Sequence, residues 1–191
     1  MYRHKFVALL AAAAAATSSF GAVSAAAAPV DTASDPVVAV HGSDTLVLAD
    51  DWGTAAACIE LGDVTECFAT EAELLAAHGD VLGGGSTRGG VGDAATVAAA
   101  ASSCSSSLRL YNASSYGGAI LFLTTRGTIH NLAHYGFDNA TSSYRVGGCP
   151  AALFSLADLA GAVYPGYTGP WAQSPVMIAG WNNVVSSAYI Y

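Results

Sequence analysis

The sequence predicts a mainly β protein, an antiparallel sandwich of two four-stranded units preceded by a small αβ appendage. Two polar strings carry the duplication: DNATSS from Asp138 and NNVVSS from Asn182 share two Asx residues, two free positions and two hydroxyl residues. The second begins 44 residues after the first, and each follows an aromatic residue, Phe137 or Trp181. Self-similarity at such a period marks a repeated structural unit. A second frame repeats beside it: Tyr111, Tyr116 and Gly118 in YNASSYGG return as Phe154, Leu159 and Gly161. The glycine suits a hairpin folded sharply over its own sheet, which needs a residue free to take positive φ. The third observation is texture, because Leu108 to Tyr111, Ala119 to Thr124, Ser143 to Val146 and Ser187 to Tyr191 are short strand-like runs separated by turn residues.

Taken in order, the chain starts with an address. Arg3, His4 and Lys5 precede an apolar run, Phe6 to Ala16, and small residues around Val23 to Ala25, the pattern of a secretory signal peptide over 1–28. The run of roughly 11 residues falls short of the roughly 20 that a bilayer-spanning helix needs. The mature protein is therefore expected to be secreted and extracellular, without membrane insertion.

Residues 29–82 read as an acidic appendage. Pro29 to Gly42 lacks periodicity and is expected to be a mobile arm. Thr45 to Leu48 is strand-like, and Ala57 to Leu61 and Val64 to Phe68 flank Gly62 and Asp63 with the two-residue spacing of a hairpin. Thr70 followed by Glu73 gives a capping-box start to a short helix that Gly79 can stop. Residues 83–103 are glycine, alanine and serine, the composition of a linker. Their GGGSTRGG lacks the lysine and following hydroxyl of a phosphate-binding loop. Residues 104–191 form the β domain.

Four cysteines, Cys58, Cys67, Cys104 and Cys149, follow the signal, and an even number in an exported chain reads as disulfides. Of three possible pairings, Cys58 with Cys67 and Cys104 with Cys149 are favoured. Of the 14 acidic residues, only Asp138 and Asp158 lie beyond Cys104. A chain this acidic, with net charge −8, is a poor binder of nucleic acid or of an anionic membrane.

With those strings in hand, Leu108 to Tyr191 resembles the βγ-crystallin superfamily, and more closely its microbial secreted members, which include a metalloproteinase inhibitor. YNASSYGG, NLAHYGFDNATSSYRVGGC and GWNNVVSSAYIY carry the likeness, as the aromatic-glycine hairpin and the (Asn/Asp)(Asn/Asp)xx(Ser/Thr)Ser signature. The resemblance implies a Greek-key sandwich whose paired loops cross and bind calcium. By position, Asp138, Asn139 and Ser142 would come from one loop, and Asn182, Asn183 and Ser186 from the other. Oxygen donors of this kind suit a hard cation. With one carboxylate among the four Asx positions, the expected affinity is weak, roughly 10 to 1,000 µM. Ser143 and Ser187 are assigned to backbone hydrogen bonds around the folded hairpins.

Enzymatic readings find little support. No GxSxG elbow accompanies the serines. His130 and His134 have the spacing of zinc ligands on a helix but lack a third partner, and are read as satisfied or exposed histidines. Tyr111, Tyr116, Tyr135, Trp171 and Trp181 are read as core and corner residues rather than a sugar platform, with Tyr164 to Trp171, YPGYTGPW, an aromatic loop open to exposure. The expected activity is binding without catalysis: a calcium-binding structural module, with an extracellular metalloprotease (peptidase) inhibitor and a toxin-like secreted protein as alternatives. An inhibitor would present a rigid loop to a protease, for which Pro165 to Pro175 is the candidate.

Overall fold

The computed structural model describes residues 36–80, 82 and 107–191. The expected signal peptide, the linker, Cys104 and the first half of the N-terminal arm lie outside them. Val38–His41 (β1) and Asp44–Val47 (β2) form an antiparallel hairpin, and β1 also pairs in parallel with Thr65–Phe68 (β4). The arm expected to be mobile to Gly42 thus contains a strand. Its backbone finds partners on both sides, a contact that no local periodicity announces. Ala57–Glu60 (β3) and β4 form the expected hairpin, with Cys58 opposite Cys67 and bonded to it, Cα atoms 4.1 Å apart. Thr70 caps the helix Glu71–His78 (α1), its hydroxyl accepting from the Glu73 N–H at 3.2 Å.

Seven strands follow: Leu108–Tyr111 (β5), Ile120–Leu123 (β6), Ile129–Asn131 (β7), Ser143–Val146 (β8), Ala151–Phe154 (β9), Gln173–Ser174 (β10) and Ser187–Ile190 (β11). They form two sheets, ordered β10-β8-β5-β6-β3-β4-β1-β2 and β7-β11-β9. A bridge from Phe154 to Val163 adds a vestigial fourth position beside β9. Each Greek key therefore keeps its first, second and fourth strands in one sheet and sends its third, β7 or β10, to the other. Sequence patterning missed β7, β9 and β10, because two or three residues, or the alanine-rich AALF, carry too weak a signal.

The N-terminal segment continues the first sheet. β3 pairs in parallel with β6, from Ala57 opposite Ile120 to Glu60 opposite Leu123. All four residues of each strand are buried, which accounts for the unbroken apolar run ILFL. Leu108, Leu110, Leu121 and Leu123 point into the sandwich core with Leu132, Phe137, Leu153, Val185 and Ile190. On the opposite face Ile59, Leu74, Tyr111, Ile120 and Phe122 make a second cluster beneath α1.

Glu60 fastens the seam between the two segments. Its carboxylate accepts from Gly62 N–H (2.6 Å), from Thr124 and Thr125 N–H (3.0 Å each) and from the Thr125 hydroxyl. Burial, the largest influence, pushes its pKa up, but these hydrogen bonds together hold it below the ordinary value of 4.5. No helix among the described residues is long and apolar enough to cross a membrane.

Candidate metal centre at the crossed loops

The two hairpins that carry the repeated frames fold back by the same device. In the first, Ser115 and Tyr116 take positive φ, Gly118 follows at φ 76°, and the Asn112 side chain accepts from the Ala119 N–H at 2.8 Å. In the second, Asp158 and Leu159 take positive φ, Gly161 follows at φ 75°, and Ser155 Oγ accepts from the Ala162 N–H at 2.8 Å. A Cβ on Gly118 would collide with Asn112 Oδ1, and one on Gly161 with Ser155 Oγ. Both glycines are thus required by backbone angle and by space.

The last serine of each polar string locks its corner. Ser143 Oγ donates to Ala113 O (2.7 Å) and accepts from Tyr116 N–H (3.1 Å). Ser187 Oγ donates to Leu156 O (2.6 Å) and accepts from Leu159 N–H (3.1 Å). These are the backbone bonds assigned to the two serines from the sequence. Tyr111 and Tyr116 meet edge-on above the first corner, centroids 5.6 Å apart. Neither Asn112 nor Ser155 is read as a corner cap from the sequence, although each is the polar residue directly after the first aromatic of its frame.

The remaining polar residues bring the strings together. Asn139 N–H donates to Val185 O and Asn183 N–H to Thr141 O, both at 3.0 Å. Asn139 and Asn183 sit at φ 52° and 57°, a left-handed conformation that Asn tolerates better than most residues. The side chains cross as well: Ser142 Oγ donates to Asn183 Oδ1 at 3.0 Å, and Ser186 Oγ to Asn139 Oδ1 at 3.5 Å. Asp138, exposed, accepts from Asn139 Nδ2 at 2.9 Å. Asn182 is exposed at the matching position of the second loop. Two related oxygen clusters result, each with donors from both Greek keys.

Aromatic residues hold the loops from outside. Trp52, in the connection before β3, donates from Nε1 to Tyr135 O at 2.7 Å and packs on Phe137 at 5.6 Å. Trp181 packs on Tyr164 at 5.3 Å. The N-terminal segment thereby braces the first loop, a contact between residues 83 positions apart that the sequence does not signal.

Solved structures similar to part of this chain include a βγ-crystallin from Ciona intestinalis (22% identity, TM-score 0.38, 44% of this chain and 99% of that one). A βγ-crystallin domain from Flavobacterium johnsoniae is also 22% identical (TM-score 0.35, 44% and 92%), as is the N-terminal domain of Protein S (TM-score 0.38, 44% and 94%). The sheet arrangement of β5 to β11 is the two-Greek-key sandwich expected from the sequence. No protein-family model matches the chain, and no curated protein matches it in sequence.

His130 lies on β7, buried, with Nε2 2.9 Å from Thr125 O, while His134 lies in the helical turn Leu132–Tyr135, so the two do not share a helical face. Tyr111 and Tyr135 are core residues. Trp171 is not, being 68% exposed. The turn that carries it faces outward, which its apolar character alone cannot reveal. Cys149 is buried and disulfide-bonded. Its expected partner Cys104 lies outside the described residues.

Proposed function

We propose that this is a secreted, non-catalytic binding module whose crossed loops hold calcium, and that the ion joins its two Greek keys. The crossing pairs Ser142 with Asn183 and Ser186 with Asn139 carry the reading. Two oxygens that share one ion at about 2.3 to 2.6 Å, at neighbouring positions of its shell, lie about 3 to 3.5 Å from each other, the spacing found here. Asp138, Asn139 and Ser186 would serve one ion, and Asn182, Asn183 and Ser142 the other. No cluster of three or more His, Cys, Asp or Glu exists among the described residues to compete as a metal site.

Calcium supplies a divalent charge toward which oxygens of both loops can turn. The protein contributes preorganisation: the left-handed Asn139 and Asn183 aim their amide oxygens at the opposing serine, and the buried Ser142 and Ser186 keep their hydroxyls in place. With Asp138 the sole carboxylate, affinity belongs in the extracellular range, roughly 10 to 1,000 µM.

Titration calorimetry tests this. Calcium should give a saturable heat that Asp138→Asn weakens several-fold and the pair Ser142→Ala with Ser186→Ala abolishes. Absence of heat in the wild type would sink the reading.

A second reading, peptidase inhibition, draws on the 165–175 segment. Tyr167 is 73% exposed there, while Tyr144 Oη donates to Tyr167 O (2.8 Å) and Thr168 Oγ1 to Ala151 O (2.6 Å), holding the loop in shape. Stoichiometric inhibition of a thermolysin-like protease, lost on altering residues 166–170, would support it.

A further inference from the structure

The outer face of the large sheet carries a row of directly opposed residues: Ile59, Phe122, Arg109, Arg145 and Gln173, on β3, β6, β5, β8 and β10. Opposed residues on neighbouring strands project from the same face. At its β3 end the row is apolar and part of the cluster under α1. At its other end it opens into a cavity of about 260 Å³, lined by Arg109, Arg145 and Gln173 with Ser107 and Trp171.

Two arginines directly opposite each other repel. Neither has an ion-pair partner among the described residues, where the one ion pair is His78 with Glu66. Aromatic faces hold both guanidinium groups. Arg145 lies 3.9 Å from the centroid of Tyr116 and 5.7 Å from that of Tyr111, and Arg109 lies 5.0 Å from that of Phe122. Stacking uses the faces of the guanidinium; Arg109 also hydrogen-bonds the Tyr111 side chain, and further N–H groups stay available on both residues. Arg145 Nε is buried and has no hydrogen-bond partner among the described residues, a cost that its ring contacts do not remove.

Trp171 completes the rim. Ala172 N–H donates to Gly169 O at 3.0 Å, closing a turn in which Pro170 stands second and Trp171 third. Trp171 has φ 62°, at the turn position where glycine is favoured. A bulky residue in that conformation is strained, and its exposed ring gains little from packing. Strain, exposure and two cations without a carboxylate partner among the described residues coincide at one cavity.

We infer that this cavity binds a carboxylate attached to a flat, preferably aromatic, group. The carboxylate takes the N–H groups that Arg109 and Arg145 present to the cavity, in the forked geometry that guanidinium offers. The flat group lies against Trp171. Such a ligand neutralises the opposed charges. The chemistry is shared by free aryl acids and by peptides ending in an aromatic residue. The site uses none of the crossed-loop residues and stands apart from calcium binding.

Nitrogen-15 spectra of the full mature chain test this, with the Arg145 Nε–H resonance and tryptophan fluorescence as readouts. The probes are benzoate, a short peptide ending in free phenylalanine, the same peptide amidated at its C-terminus, and inorganic phosphate. Benzoate or the free-acid peptide should shift the Arg145 resonance saturably. A response to benzoate assigns free acids as a source, and a response confined to the free-acid peptide assigns chain ends. Arg145→Lys, which keeps charge but not the fork, should weaken binding about tenfold. Trp171→Gly, which suits the turn, should preserve the fold and also weaken binding. No shift with either acid, equal binding of the amidated peptide or of phosphate, or unchanged affinity in Arg145→Lys would overturn the assignment.

Discussion

Ile120 and Val163 stand at matching places in the two Greek keys, two residues past the corner glycines Gly118 and Gly161, yet Ile120 is 5% exposed and Val163 56%. The corners themselves match, with paired positive-φ residues, a capping polar side chain and a locking serine in each. What differs is cover. β3 lies against β6 and α1 closes over the outer cluster, whereas the second Greek key has a single bridge at Val163. One local design therefore supports two energetic roles. β6 of the first key is buried on both faces and knits the N-terminal segment into the protein, whereas the matching position in the second key, Val163, stays exposed.

The largest contrast should come from truncation at those matching positions. Ile120→Ala removes a buried side chain and should destabilise by about 2 to 5 kcal/mol, whereas Val163→Ala should stay within about 0.5 kcal/mol of wild type. Urea unfolding of both variants measures the difference. Equal losses would mean that the N-terminal cover contributes nothing to the first key.

Next in size is the Glu60 seam, which has no counterpart in the second key among the described residues. Replacing a charged acceptor of several hydrogen bonds by Glu60→Gln should cost about 1.5 to 3 kcal/mol at neutral pH. The pH dependence has a definite sign. Because the folded-state pKa lies below the ordinary 4.5, the unfolded chain binds the proton more readily. The stabilisation is complete above 4.5 and fades as pH falls through the folded value. The gap between wild type and Glu60→Gln should therefore narrow in acid, as a pH series of melts would record.

The smallest contrast lies inside the polar loops. Thr141 and Val185 occupy the same template position and are both fully buried, but Thr141 Oγ1 has no hydrogen-bond partner among the described residues. Thr141→Val should stabilise by about 1 kcal/mol, and Val185→Thr should destabilise by about 1 to 3 kcal/mol, since a buried unpaired hydroxyl is penalised. Chemical denaturation of the two variants gives both signs. A stabilised Val185→Thr would show that the loops differ in more than this side chain.

What the sequence makes legible follows the same division. Corners and crossed loops could be read because their chemistry is local: Gly118 and Gly161 answer a backbone requirement, and the two Asx strings repeat. Thr70 announced its helix and Cys58 its hairpin for the same reason. The parallel pairing of β3 with β6, the reach of Trp52 to Tyr135 and the opposition of Arg109 to Arg145 depend on register between distant segments, which neither propensity nor periodicity encodes. Val38 to His41 shows the limit sharply. A strand paired on both edges inside a sheet was indistinguishable from an unpatterned arm when its partners were unknown.

Thermal unfolding with and without calcium tests most directly whether the crossed loops join the two keys through an ion. At a free calcium concentration about ten times the dissociation constant, binding to the folded state alone should add about 1.4 kcal/mol. For a protein of this size that raises Tm by roughly 3 to 6 °C, and the rise should disappear when Ser142 and Ser186 are both changed to alanine. A Tm that calcium leaves unchanged, or an equal rise in the doubly substituted protein, would contradict the account.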